Sequence, residues 1–318
     1  MALYSLKTKR EIPWRDEAAT FAALHAASTA AKFRNQMAEF ERVMSIDLIA
    51  ATESDCMAYA KWCMQQPGYR VHGEPSLVTR ASVKFKLQNL KSICDHLQKC
   101  GYMQANPFIS ALHLLGKAEA GEKRQTEALT TEQVKKLMAG QADTQEGRRN
   151  LTLISLLFGA GLRISEALAL TLGDICQTEE GLSFLKLRHT KAQKPQQHAL
   201  QGWVGEGVQA LKHQRLSEGA GAGMALITPY YSNGTAYQTP ATYSAFLRWW
   251  KKWIRAAGLP ATCTSHWGRA TSITKLLSMG LDYRSVQEFS RHSTTRLVEM
   301  YDKRRFKLED MPQKDLKY

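Results

Sequence analysis

The residues best suited to chemistry gather in the C-terminal third of this 318-residue chain. His266 precedes Arg269 by three positions, and His292 precedes Tyr301 by nine. An Arg and a His one helical turn apart project to the same side and can share one anion. Upstream, Arg163 stands in Gly161-Leu162-Arg163-Ile164-Ser165-Glu166, at the head of an otherwise apolar stretch. An unpaired guanidinium is costly to bury there. Attack on a phosphodiester builds negative charge on the non-bridging oxygens, and fixed cations that meet that charge lower the barrier. Two arginines able to make two-pronged contacts, Arg163 and Arg269, suit that role. Tyr301 can attack through its phenolic oxygen and be held as an ester. A free phenol has a pKa of about 10, so it needs a proton acceptor such as His266, while His292 can donate to a phosphate oxygen. Each residue also has an ordinary use. Arg163 can pair with Glu166 at i, i+3, Tyr301 can edge a core, His292 can cap a helix, and His266 can be a satisfied structural histidine.

These side chains must be positioned by a mixed C-terminal part. Residues 151–158 read as an apolar helix, Gly159-Ala160-Gly161 as a break, and 164–170 as another helix. Residues 183–189 alternate as a strand, and after a turn over 191–196, residues 198–200 pair back as a short hairpin. The glycine-rich run 219–223 precedes a strand-like 224–228 rather than a helix, so it reads as a connector and not a phosphate loop. Residues 245–257 form a two-faced helix. Phe246, Trp249, Trp250 and Trp253 make a core side, and Arg248, Lys251, Lys252 and Arg255 a basic side that is either solvated or set against DNA. An apolar helix over 273–279 follows His266 and Arg269.

The first third reads as a helical bundle. Phe33, Met37, Phe40 and Met44 share one helix face, and Thr52 with Asp55 forms a capping box. Gln66-Pro67-Gly68 breaks the chain, and Glu74-Pro75-Ser76 opens a helix with an apolar stripe of Val83, Leu87, Leu90, Cys94 and Leu97. Arg80, Lys84 and Lys91 line another face, open to water or to phosphates. Asn106-Pro107 ends the region, residues 116–128 are a polar connector, and Thr130-x-x-Gln133 caps a new helix.

Composition narrows the partners. Lys plus Arg number 43 against 29 Asp plus Glu, a formal charge of +14, which favours a polyanionic partner such as nucleic acid. The six cysteines form no C-x-x-C pair, so they read as reduced, mostly buried thiols. Neither an apolar run of membrane-spanning length nor a signal-like N-terminus is seen, which gives the expectation of a cytoplasmic protein. Nucleotide-binding, zinc-hydrolase and acyl-serine signatures are missing.

In order and spacing, the segments resemble the catalytic boxes of the tyrosine recombinases, the family of phage integrases and Xer-type recombinases. The first box has the shape G-L-R-x-x-E, here 161–166, the second is H-x-x-R, here 266–269, and the third is a His with a Tyr nine residues on. His266 and His292 are 26 residues apart, as the family's spacing also has it. The resemblance covers residues 20–305. It implies a mainly α fold with a small antiparallel β-sheet, built as a two-domain DNA clamp. Residues 1–116 would be a helical, SAM-like core-binding domain, 117–128 a linker, and 129–318 the catalytic domain. It implies a site-specific recombinase with Tyr301 as nucleophile, passing through a 3′-phosphotyrosine ester, without ATP or a metal. Lys191, with Lys194 as competitor, resembles the hairpin lysine that protonates the leaving 5′-hydroxyl. The implied partners are double-stranded DNA, a tetramer of this chain on two DNA sites, and an accessory directionality protein. A non-catalytic DNA-binding protein on the same fold and a type IB topoisomerase-like enzyme are the competing readings. The chain departs from the family pattern at Gly268 and Ala270 in the second box and at Arg291, where glycine is usual before the third-box His.

Overall fold

The computed structural model describes residues 13–68, 77–116, 127–188, 195–200 and 202–302. By its internal contacts the chain divides into two units, Met1–Arg124 and Gln125–Tyr318. Most of the expected linker, residues 117–126, lies outside the described residues, as do 189–194 and the tail after Asp302.

The first unit is helical throughout its described residues: α1 (Trp14–Ala23), α2 (Ala27–Met44), α3 (Glu53–Gln65), α4 (Arg80–Lys99) and α5 (Phe108–Leu114). Local chemistry sets the boundaries. Thr52 and Asp55 form a reciprocal capping box at the start of α3. At α4 the cap is Thr79, whose hydroxyl accepts from the Ser82 amide; the expected opening at 74–76 lies outside the described residues. The stripe of Val83, Leu87, Leu90, Cys94 and Leu97 is fully buried, together with Phe33, Phe40, Tyr59 and Phe108. The other side of α4 is less free than its charges suggest. Lys91 pairs with Asp95 at 2.6 Å and Lys84 donates to the Gly116 carbonyl, while Arg80 is exposed.

The second unit begins with α6 (Thr131–Ala139), whose capping box joins Thr130 and Gln133, and α7 (Gln145–Phe158). The α7 helix starts six residues before the apolar run, capped by Thr144. It is followed by α8 (Ile164–Leu168), two residues shorter than the expected 164–170 because the chain passes into a turn at Leu172–Asp174. A three-stranded antiparallel sheet follows: β1 (Ile175–Gln177), β2 (Ser183–Leu187) and β3 (Gln196–Leu200), in sheet order β1-β2-β3 with Leu185 opposite both Ile175 and His198. Three residues are too few for β1 to show an alternating pattern in the sequence. Five further helices follow, joined by loops: α9 (Gly202–Ser217), α10 (Tyr243–Ala256), α11 (His266–Ser278), α12 (Tyr283–Ser290) and α13 (Thr295–Glu299).

Two expectations are corrected. Residues 224–228 are not a strand. Leu226 donates to the Leu170 carbonyl and Leu172 to that of Met224, but the opposite chain turns at Leu172–Asp174 and offers no further ladder. The segment is a buried loop, with Thr228 Oγ1 donating toward the Tyr237 and Thr239 carbonyls. The second box does not precede its helix but forms its first turn, since α11 begins at His266.

On α10, Phe246, Trp250 and Trp253 are buried in the main core, and Arg248, Lys251, Lys252 and Arg255 are exposed. Trp249 is used otherwise. The Arg149 guanidinium lies 3.6 Å from its ring and also bonds Asn150, the Thr228 carbonyl and Glu146. That set of partners is what allows a fully buried arginine.

The contact between α7 and α11 fixes the frame of the site. A Cβ on Gly268 would stand 2.9 Å from the Leu157 carbonyl oxygen and 3.1 Å from Leu157 Cβ. Glycine therefore lets the two helices approach closely, which gives one of the second-box departures a physical reason. Gly268→Ala is expected to lower stability by about 1–3 kcal/mol, the usual cost of overpacking, measured by urea unfolding; an unchanged midpoint would show that the helices separate without cost.

Candidate active site

Arg163 is the residue just before α8, held in an extended conformation. The turn that delivers it needs Gly161 at φ +59°, and a Cβ there would meet the Phe289 ring at 3.0 Å. Arg163 donates from Nη1 to Glu166 Oε1 at 2.8 Å and from its backbone N–H to Oε2 at 2.9 Å. The local i, i+3 pair therefore forms, and the arginine also lines a cavity. The ordinary use and the functional one coexist.

Arg269 comes from the first turn of α11 and is 4% exposed. Its Nη1 donates to the Gly161 carbonyl at 2.8 Å. Nearby, Ser272 Oγ donates to the Phe158 carbonyl at 2.6 Å. The carbonyls left unpaired at the end of α7 and in the following turn are thus met by side chains of α11. The buried Nη2 of Arg269 has no hydrogen-bond partner among the described residues. His266 stands one turn earlier, at the cavity's edge.

His292 follows α12, with Nδ1 2.8 Å from Ser290 Oγ. Its ring stacks beside that of Tyr301, centroids 5.9 Å apart and 26° between planes. Tyr301 lies just after α13 and packs on a small separate core of Ile273, Leu277, Val286 and Val298. Its backbone N–H donates to the Val298 carbonyl at 2.9 Å. The nucleophile candidate therefore sits on α11, α12 and α13 rather than on the main core.

A cavity of about 1230 Å³ is lined by Arg163, His266, Arg269, Arg291, His292 and Tyr301, among others. This exceeds the roughly 300–1,000 Å³ common for small-molecule pockets. Lys191 and Lys194 lie outside the described residues. The basic residues of α10 do not line this cavity, and Arg80, Lys84 and Lys91 belong to the first unit.

Sequence reasoning noted Arg291 only as a departure and did not single out His198. Arg291 adopts φ +55° and bonds both Glu166 and His198. Its only sequence signal was its place, directly before His292, where glycine was expected.

The electrostatics follow from clustered cations. Burial, then Arg163 and Arg291, lower the Arg269 pKa to about 10, which leaves it charged at neutral pH. Burial, then Arg269, Arg163 and Arg291, push His292 down to about 4. Desolvation, then Arg163 and Arg269, also lower His266. Burial opposes ionisation of Glu166, but Arg291 and then Arg163 outweigh it and hold the carboxyl below its ordinary range. Among the described residues one group of metal-type donors converges, Glu17, His96 and Cys100 of the first unit. Its 2.7 Å contact between His96 and Glu17 is an ion pair or hydrogen bond in its own right.

A histidine with a depressed folded pKa binds its proton more readily in the unfolded chain. Its contribution to stability is therefore full above the unfolded value of about 6.5 and is lost as pH falls toward the folded value. For His292, and for His198 with its pKa also near 4, that window runs from about 6.5 down to about 4. The melting temperature is expected to fall across this window, and less steeply in His292→Gln; equal slopes in the two proteins would rule out His292 as a source.

The chain is similar to known proteins in sequence and in fold. The model of the phage integrase family matches residues 127–307. Tyrosine recombinase XerC of Agrobacterium fabrum is 32% identical over 234 residues, covering 68% of this chain and 69% of that protein. Tyrosine recombinase XerC of Oceanobacillus iheyensis is 28% identical over 230 residues, 70% of each. In fold the chain is similar to the Tn1549 transposon integrase in complex with circular intermediate DNA, with TM-score 0.68, 18% identity, and 96% and 100% of the two chains covered. It is also similar to a lambda integrase dimer bound to a core site, with TM-score 0.65, 15% identity, and 93% and 98% covered. On the family match and the XerC likeness, the chain belongs to the phage integrase family, the tyrosine recombinases that catalyse site-specific DNA strand exchange.

Proposed function

We propose that the chain cleaves and rejoins double-stranded DNA with Tyr301 as nucleophile and Arg163, Arg269, His266 and His292 as the groups that meet the scissile phosphate. The observation that carries this reading is the convergence of these five side chains on one cavity, with a buried Arg269 Nη2 that has no partner among the described residues. The Tyr301 oxygen attacks phosphorus and the bond to the 5′-oxygen breaks. The phenolic proton passes to His266, neutral and able to accept it, and the 5′-oxygen takes a proton from Lys191, or from Lys194 in its place. The result is a 3′-phosphotyrosine ester. A 5′-hydroxyl of another strand reverses the steps and releases Tyr301, so the energy of the broken bond is kept in the ester. Two guanidinium groups carry the charge that develops on the non-bridging oxygens.

In this reading residues 1–116 form the core-binding domain, 117–128 the linker and 129–318 the catalytic domain. Arg80, Lys84 and Lys91 would contact DNA from the first, with Lys84 and Lys91 leaving their present bonds to do so. The exposed Arg248, Lys251, Lys252 and Arg255 would contact backbone phosphates from the second. Support for a duplex substrate comes from the Tn1549 and lambda integrases, both seen bound to DNA, and from the +14 charge. Action as a tetramer on two sites, a directionality protein and a cytoplasmic setting complete the proposal.

The test is covalent capture. Nicked, labelled DNA from the regions flanking the gene is incubated with the protein and examined for an SDS-stable adduct. Wild type is expected to form it, Tyr301→Phe to bind the DNA but form none, and Arg269→Ala to form it at least ~100-fold more slowly. An adduct that persists in Tyr301→Phe would remove Tyr301 from the mechanism.

A further inference from the structure

Arg291 occupies a backbone position that ordinarily goes to glycine. It ends α12 at φ +55°, ψ +40°, in the left-handed region. For a residue with a Cβ this conformation is strained, and glycine is the usual solution at a helix C-terminus. The chain instead spends this position on a long cationic side chain and then buries it to 6% exposure. Arg291 Nη2 donates to Glu166 Oε2 at 2.7 Å and Nη1 donates to His198 Nδ1 at 2.9 Å. One guanidinium thus ties the end of α12 to α8 and to β3, and His292 is the next residue along the chain.

The carboxylate it grips is the one that also holds Arg163. Glu166 Oε1 takes Arg163 Nη1, while Oε2 takes the Arg163 backbone N–H and Arg291 Nη2. With Arg163 alone, the pair would be close to neutral, and the guanidinium would meet a phosphate with much of its charge already answered. With Arg291 present, two positive charges share one negative charge, and the surplus stays at the cavity that Arg163 and Arg291 both line.

We propose that Arg291 is a positioning residue of the strand-cleavage reaction, which offsets the charge of Glu166 so that Arg163 remains available to the phosphate and which fixes the backbone that carries His292. The inference rests on the active-site reading above. It has a signature that a merely structural contact lacks. Because arginine only donates, His198 must accept at Nδ1 and is neutral there. The groups facing His198 are Arg291, Glu166, Arg269 and the Phe289 ring. Take Arg291 away, and Glu166 keeps only Arg163, at Oε1 and from its backbone N–H, so that the buried imidazole of His198 can supply part of the missing positive charge by taking up a proton.

The experiment uses the full chain, with Arg291→Gly, which suits the left-handed backbone, and Arg291→Lys, which keeps the charge but not the fork. Single-turnover cleavage of nicked DNA, DNA affinity and melting temperature are measured from about pH 8 to about pH 5, the range in which an imidazole changes charge. Arg291→Gly is expected to bind DNA as wild type does and to cleave roughly 10- to 100-fold more slowly near pH 8, the scale of loss when an active group is misplaced. Relative to wild type, its rate is expected to recover as pH falls, and His198→Gln in the same background is expected to abolish that recovery. Arg291→Lys is expected to fall between wild type and Arg291→Gly. Wild-type rates in Arg291→Gly at every pH, or a loss that follows melting temperature with no acid recovery, would overturn the proposal. A wild type that forms no adduct on DNA it binds specifically would instead remove the active-site reading, and this inference with it.

Discussion

The elements around the cavity of the second unit are organised by the buried carboxylate of Glu166. Glu166 is 2% exposed in its side chain and accepts from three donors of two arginines. A carboxylate removed from water without such partners would be strongly disfavoured. The helix that carries it, α8, is therefore stable in this position only when the turn before it and the end of α12 are also in place. Those two segments supply Arg163 on one side and Arg291 with His292 on the other. The coupling runs both ways, since the buried Arg291 guanidinium and the half-buried one of Arg163 share the same carboxylate.

The second constraint is backbone proximity. Arg269 can donate to the Gly161 carbonyl only because α11 lies close against α7, and that closeness depends on Gly268 having no side chain toward Leu157. The small core under Tyr301 then determines where the phenol sits relative to His292. Ile273 and Leu277 come from the far end of the helix that carries Arg269. One helix thus sets the position of Arg269 at its first turn and supports Tyr301 further along.

What could be read in the sequence was local or strictly ordered. The boxes at 161–166 and 266–269, and the pair His292 and Tyr301, were legible from residue type and spacing, and the structure places them around one cavity. The capping boxes at Thr52 and Thr130 were legible because they span three residues. The pairing of β2 with β3 was legible from alternation. What was not legible depends on distance along the chain. Arg291 meets Glu166 across 125 positions and His198 across 93, and nothing in the neighbouring sequence announces either contact. Arg149, one turn into α7, is buried against Trp249, from a helix about a hundred residues later, a contact that no local pattern marks. The apolar run at 224–228 was misread because an apolar run marks burial, and only a partner strand makes buried chain into a sheet.

The arrangement also divides labour between charge and proton transfer. Arg163, Arg269 and Arg291 supply positive charge that is not lost near neutral pH, even with Arg269 lowered to about 10. Burial first, and then Arg163 and Arg269, lower the proton affinity of His266 and His292, and a neutral imidazole can accept a proton whereas an imidazolium cannot. A phosphodiester entering the cavity brings a negative charge into this ring of cations, and an adjacent negative charge raises an imidazole's affinity for protons. Burial and the neighbouring arginines make both histidines weaker bases before a substrate arrives. On the proposed reading, a phosphate bound in the cavity would make them better acceptors. On that reading, the capacity to take a proton from Tyr301 would therefore develop with the arrival of the phosphate that it attacks.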